Sequence, residues 1–243
     1  MKLTYIYHSC FAIEADEFSV IIDFFKDTLG DCRGYIHDKL LRKTQPLYVL
    51  SSHSHADHFN PVIFDWKSVN PNIHYVLSSD ICSMVSSLKG IEQTNVTYMD
   101  KLESYSDRYL DIKAFGSTDL GISFLMKCGG KKIFHAGDLN NWHWNEESTA
   151  EEIQGAEMAY LTELNLLKEE TNVLDLAMFP IDPRLGKNYM IGAQQFVDNI
   201  QVGLFAPMHF GEEYDCANSM ATYAESKGCK FFTIKDKGDN VLF

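Results

Sequence analysis

Apolar and polar positions along the chain follow two different periods. Short runs rich in β-branched and aromatic residues dominate the first part, and helical and strand patterns alternate in the second. "LTYIYHSCFAIEA" and "FSVIIDFF", separated by a short polar turn, predict an opening hairpin. Residues 26–44 read as loop with one short helix. The runs "PLYVLSS" and "NIHYVLSS" predict buried strands, and Asp80 then caps a helix that runs to Lys89. "NVTYMD", "YLDIKAF" and "GISFLMKC" follow as strands, and Gly129-Gly130 in "CGGKKIFHAGD" predicts a two-residue hairpin. Next come a polar helix over "ESTAEEIQGAEMAYLTELNLLKEE", a buried strand "VLDLAMFPID" and a helix "IGAQQFVDNIQ". A strand "VGLFAPMHF", a helix "CANSMATYAESKG" and a closing hairpin around Lys237-Gly238 complete the pattern. Sheet is repeatedly followed by helix, which predicts an α/β chain of packed sheets with helices outside. No Pro/Gly/Ser-rich linker or repeat divides residues 1–243, so a single domain is expected.

Composition adds exclusions. At 45% hydrophobic and 13% aromatic, the 243 residues can bury a full core. The formal net charge of -13 disfavours nucleic acid and anionic membranes as partners, although a bound cation could still hold a small anionic substrate. Cys10, Cys32, Cys82, Cys128, Cys216 and Cys229 form no Cys-x-x-Cys pair and read as reduced thiols of a cytoplasmic protein. The start of the chain lacks a signal-peptide h-region, and no apolar run is long enough to span a membrane. There is neither a phosphate-binding G-x-x-x-x-G-K-[ST] loop nor a G-x-S-x-G elbow.

The chemistry concentrates in "HSHADH", residues 53–58, directly behind the apolar run "PLYVL". In extended backbone His53 and His55 project to one side, and Asp57 and His58 follow where the chain turns. Imidazole and carboxylate together are ligands for zinc, manganese or iron, and three of the chain's nine histidines fall in these six positions.

H-x-H-x-D-H behind a buried strand resembles the metallo-β-lactamase-fold superfamily of metal-dependent hydrolases. "YHSCFAIEADEFSVIIDFF" is similar to the opening of its ascorbate-phosphate-lactonase-like branch, "GGKKIFHAGDLN" to the strand pair that delivers a metal-bridging aspartate, and "FAPMHFGEE" to a late strand ending in a histidine ligand. The resemblance implies an αβ/βα four-layer sandwich with the metals at one edge. It implies a first metal on His53 and His55, a second on Asp57, His58 and His209, and Asp138 bridging them, with hydroxide between. The cofactor is one or two divalent cations, zinc foremost, with manganese or iron as alternatives. The oxygen-reducing diiron branch carries glutamate where His55 stands, so hydrolysis is the implied reaction.

One position departs from the pattern. Where the family supplies a further first-site histidine, "DIKAFGSTD" offers Gly116. Three accounts remain open: a single metal on Asp57, His58, Asp138 and His209; a first site of His53, His55 and Asp138 alone; or a substitute ligand, Asp119 or His143. His135 and His8 read as buried hydrogen-bonding residues, and Asp23 as a group that orients the metal ligands. In "IDPRLGKNYMIGAQQF", Arg184, Lys187 and Tyr189 form either a solvated loop or a cleft wall. His143 and Tyr189 are the candidate substrate contacts, and Asp57 the catalytic group that orients the nucleophile and takes its proton.

The expected function is hydrolysis of a small ester, lactone or phosphodiester, phosphorylated or not, by a metal-bound hydroxide. The alternative is a non-catalytic metal- or ligand-binding protein with a degraded first site, which rests on Gly116. A homo-oligomer is compatible with either.

Overall fold

The computed structural model describes residues 1–87 and 95–243. In chain order it contains β1 (Lys2–Tyr7), β2 (Cys10–Glu14), β3 (Ser19–Ile22), β4 (Leu47–Ser51), β5 (Ile73–Ser78), α1 (Asp80–Ser87) and β6 (Val96–Met99). β7 (Ser104–Ser106), β8 (Asp111–Gly116), β9 (Ile122–Cys128), β10 (Lys131–His135), α2 (Ala150–Glu170), β11 (Val173–Pro180) and α3 (Ile191–Asn199) follow. The chain ends with β12 (Gln201–Met208), α4 (Tyr214–Asn218), α5 (Ala221–Ser226), β13 (Lys230–Phe231) and β14 (Asn240–Leu242). The expected end of the first helix at Lys89 lies outside the described residues.

Among the described residues the strands form two seven-stranded sheets, ordered β14-β1-β2-β3-β4-β5-β6 and β13-β12-β11-β10-β9-β8-β7. Leu3, Phe11, Val20, Tyr48 and Val76 of the first sheet share one apolar core with the second sheet. Their sequence neighbours Ala12, Ile21, Leu47, Val49 and Tyr75 point the other way, onto Ile36, Leu40, Ile63, Trp66 and Ile81. That alternation is the period of two expected for strands between two layers. On the far face of the second sheet, α2 turns Tyr160, Leu164 and Leu167 inward at helical spacing. Its start is fixed by a capping box between Thr149 and Glu152. The result is four layers, helices on both outsides of two facing sheets.

Three sequence expectations need correction. "LTYIYHSCFAIEA" is two strands, not one: β1 and β2 pair antiparallel and the chain reverses at His8, whose φ is 57°. The expected hairpin with "FSVIIDFF" is the next one, β2 with β3. The closing "hairpin" is split between sheets, because β13 adds parallel to β12 while β14 adds antiparallel to β1. The helix expected over "CANSMATYAESKG" breaks into α4 and α5 at Asn218, whose side-chain amide donates to the Ile234 carbonyl (2.7 Å) and accepts from the Ile234 N–H (3.1 Å). Sequence reading also missed two short helices, Pro61–Ser68 and Pro183–Asn188. Each opens with proline behind an Asn60 or Asp182 cap, a signal legible in principle.

β1, β3, β4 and β5 run in one direction in the first sheet, and β8, β10, β11 and β12 run in one direction in the second. The segments after these strands meet at one edge of the sandwich. The sheets are stitched there by Ile122 N–H donating to the Ser52 carbonyl (2.9 Å) and His209 N–H donating to the His8 carbonyl (3.2 Å). Gly137, at φ 53°, lies so close to Ile122 and Ser52 that no side chain fits. Among the described residues no helix is long and apolar enough to cross a membrane, and all six cysteines are free thiols.

Candidate metal centre

His8 follows β1, Asp23 follows β3, the 53–58 cluster follows β4, Asp119 follows β8, Asp138 follows β10 and His209 follows β12. Their side chains converge on two adjoining groups, each with ligand atoms within 4.8 Å of one another. One contains His53, His55, Asp119 and Asp138; the other contains His8, Asp57, His58 and His209. Asp138 faces both. Its Oδ1 lies 3.1 Å from His58 Nε2 and 3.3 Å from His209 Nε2, and its Oδ2 lies 3.5 Å from His53 Nε2. His53 Nε2 is 3.0 Å from His55 Nδ1, which is 3.4 Å from Asp119 Oδ2. Asp57 Oδ2 is 3.9 Å from the Nε2 atoms of both His58 and His209.

The far side of each inner imidazole is held by an acceptor. His58 Nδ1–H donates to Asp23 (2.7 Å), and His209 Nδ1–H donates to Asp182 (3.0 Å). The Ser52 hydroxyl gives its proton to Asp23 (2.7 Å), so toward His53 Nδ1 (3.0 Å) it accepts. With a proton fixed on Nδ1, each ring turns its Nε2 inward, where a cation could take the place of a second proton. Among the described residues, and like His8 Nε2, His58 Nε2 and Asp138 Oδ1 are fully buried yet belong to no aligned hydrogen bond. Buried polar atoms are rarely left so, and a cation between them would satisfy both. The nitrogen and oxygen donor set suits a divalent ion of the zinc, manganese or iron kind.

The carboxylates and imidazoles of the cluster shift one another's titration strongly. Burial opposes charge on His58, but Asp138 and Asp23 outweigh it and raise its pKa to about 10. Burial would raise the Asp138 carboxyl, but His209, His58 and His53 hold it well below the usual carboxylate range. Burial and the neighbouring His58 push His53 down to about 4. Burial is also outweighed at Asp182, where His209 and Arg184 bring the carboxyl to about 2. The backbone is strained here as well: His8, Asp23 and His209 have φ values of 57°, 52° and 63°. Left-handed conformations cost about 1–3 kcal/mol each in non-glycine residues and persist where surrounding structure enforces them.

The structure thus brings together His53, His55, Asp57, His58, Asp138 and His209, and Asp23 lies behind them as expected. Asp119 joins His53 and His55. A Cβ on Gly116 would meet the Glu163 carboxylate from α2, the movable end of a side chain, so a larger residue there would have to displace it. The two expected substrate contacts, His143 and Tyr189, lie away from the cluster's clefts. His143 is buried; its Nδ1 accepts from Asn145 N–H (3.1 Å) and its Nε2–H donates to the Asn188 carbonyl (3.1 Å). The Tyr189 hydroxyl donates to the Cys216 carbonyl (3.0 Å), and the ring packs against the core. Neither residue lines the clefts beside the cluster. His135 is a core residue, as expected, donating to the Ser9 carbonyl (2.9 Å).

Two clefts flank the cluster. One of about 400 Å³ is lined by Tyr7, His8, Phe25, Asp57 and Arg184. The other, of about 320 Å³, is lined by Thr118, Asp119, Asp138, Trp142, Trp144 and Arg184. Arg184 reaches both; its guanidinium grips Asp182 and remains 65% exposed. Sequence reading missed the two tryptophans, whose rings stack at 6.3 Å. It also missed Asp182, although an Asp-Pro pair after a buried strand marks a turn where such a residue sits.

Residues 2–209 match the family described as beta-lactamase superfamily domain. A UPF0173 metal-dependent hydrolase of Symbiobacterium thermophilum is 25% identical over 218 residues, covering 87% of this chain and 84% of the relative. Igni18, a metallo hydrolase from the archaeon Ignicoccus hospitalis, shares the fold with a TM-score of 0.71 at 19% identity, over 100% of this chain and 97% of that one. CmlA, a diiron beta-hydroxylase from Streptomyces venezuelae, does so with a TM-score of 0.68 at 14% identity, over 100% of this chain and 54% of that one. At these identities the two structures bear on the fold alone.

Proposed function

The chain belongs to the beta-lactamase superfamily domain family, and on that premise we propose that it is a metal-dependent hydrolase that holds two divalent cations. His53, His55, Asp119 and Asp138 would hold one, and Asp57, His58, His209 and the shared Asp138 the other. The observation that carries this reading is the Asp138 carboxylate, whose two oxygens face separate imidazole groups. The relatives' description as metal-dependent hydrolases supports the reaction class. Asp119 beside His53 and His55 favours two cations over a degraded site.

When bound, such cations make water acidic enough to attack at neutral pH and polarise the attacked oxygen. The chain's own groups then orient the reactants. Asp57, 41% exposed at the mouth of the larger cleft, is placed to accept a hydrogen bond from the attacking water. Arg184, anchored by Asp182, presents its remaining N–H donors to an anionic group, and Trp142 and Trp144 offer an apolar wall. These features suit a small carboxylate- or phosphate-bearing ester, lactone or phosphodiester. The net charge of -13 argues against nucleic acid. Zinc is the proposed cation, with manganese and iron the alternatives.

The test is turnover of bis-p-nitrophenyl phosphate and of simple lactones and aryl esters. Activity should fall to background with a chelator and return with zinc or manganese. Fully loaded protein with no turnover on any of the three classes would favour a binding protein instead.

A further inference from the structure

From the hydrogen bond at its Nδ1 and the approach of its Nε2 to Asp57 we infer that His8, although it stands in the ring of possible ligands, is not a ligand but the donor that positions Asp57. The inference rests on the two-cation reading above. A neutral imidazole carries one ring proton, and a nitrogen that accepts a hydrogen bond cannot carry it. The Gly211 N–H donates to His8 Nδ1 at 3.3 Å. The ring proton is therefore on Nε2, a buried nitrogen that has no aligned hydrogen bond among the described residues and faces Asp57 Oδ2 at 3.3 Å. A protonated Nε2 has no lone pair for a cation.

The other histidines divide in the same way. His53, His58 and His209 all have an acceptor at Nδ1 and turn Nε2 to the cluster. His135 and His143 have a backbone N–H at Nδ1, from Gly137 and Asn145, and both donate through Nε2 to a carbonyl. His8 has the second pattern. Its placement is over-determined: its N–H donates to the Tyr5 hydroxyl (3.0 Å), its carbonyl accepts from His209 N–H (3.2 Å), and its φ of 57° is imposed by the reversal between β1 and β2. Asp57 needs such a tether. Its carboxylate is the exposed member of its group, and its distances to His58 and His209 are 3.9 Å, longer than that to His8. Donation from His8 fixes the carboxylate at the mouth of the cleft that His8 itself lines.

Long-range proton–nitrogen NMR of the metal-free and zinc-loaded protein tests this, with His8→Gln used for assignment. Zinc should shift the Nε2 signals of His58 and His209 while His8 Nε2 keeps its proton. An unprotonated, zinc-shifted His8 Nε2 would overturn the inference. A spectrum in which no imidazole moves would overturn the metal-centre reading and the inference with it, and is told apart because His58 and His209 stay in place too. Variants give an independent readout. His8→Ala should weaken zinc binding about tenfold, as loss of a supporting hydrogen bond does. His8→Gln, which keeps an N–H donor but is a poor zinc ligand, should recover most of that loss. Equal weakening in both variants would show that His8 binds zinc directly.

Discussion

Alanine at Asp138 is expected to strip the cluster of metal and lower kcat/KM by on the order of 10³-fold or more. Each half of the site loses a ligand at once, because Oδ1 serves His58 and His209 while Oδ2 serves His53. The buried imidazoles also lose the carboxylate that their Nε2 atoms share, so cation binding would no longer be favoured over solvent. The fold should survive, since the backbone carbonyl of Asp138, not its side chain, accepts from the Trp142 indole N–H (2.8 Å). Far-ultraviolet circular dichroism would check the fold and elemental analysis the metal. An Asp138→Ala protein that keeps its metal content and turnover would remove Asp138 from the centre of this account.

Asp23→Asn is expected to cost about 3 kcal/mol of stability and 10- to 100-fold in zinc affinity. Asp23 is fully buried, and its carboxylate accepts from Ser52 N–H, the Ser52 hydroxyl and His58 Nδ1–H, each at 2.7 Å. An amide of the same shape must turn an NH₂ toward one of these donors. Burial alone would raise the Asp23 carboxyl, but His135 and His58 outweigh it and hold it below its ordinary value. A depressed carboxyl stabilises the fold above its unfolded pKa, about 4, and that contribution is lost as pH falls further. The wild type should therefore lose stability steeply in acid, and the variant less so from this group. Urea unfolding of metal-free protein across pH, with zinc titration at neutral pH, measures both effects. Unchanged stability and affinity would show that Asp23 does not hold His58 in place.

How much of this was legible beforehand differs by residue. His53, His55, Asp57 and His58 lie within six positions behind a buried run, so spacing and ligand chemistry identified them. Asp138 and His209 are far apart in sequence, and only the order of motifs in the family resemblance linked them. The four-layer architecture came from the same resemblance supported by strand and helix periods. His8 was read as a hydrogen-bonding residue, but its place beside Asp57 depends on a left-handed turn and on the approach of Gly211 from the opposite sheet. Gly116 looked like a lost ligand because a sequence does not show that a side chain there would point at the Glu163 carboxylate of α2. His143 and Tyr189 were assigned to the cleft for their chemistry alone. In the fold their polar atoms are taken by carbonyls of Asn188 and Cys216, and the flanking Trp142 and Trp144 line the cleft instead. The closing segment misled because pairing partners far away in sequence, β1 and β12, outcompete a local hairpin.

The central claim is that two cations share Asp138 despite the glycine at position 116. Elemental mass spectrometry of the protein, purified without added metal and then reloaded with zinc, tests it most directly. The account predicts about two equivalents per chain after reloading. One equivalent or fewer would contradict it, and would mean that Asp119 does not complete the group of His53 and His55.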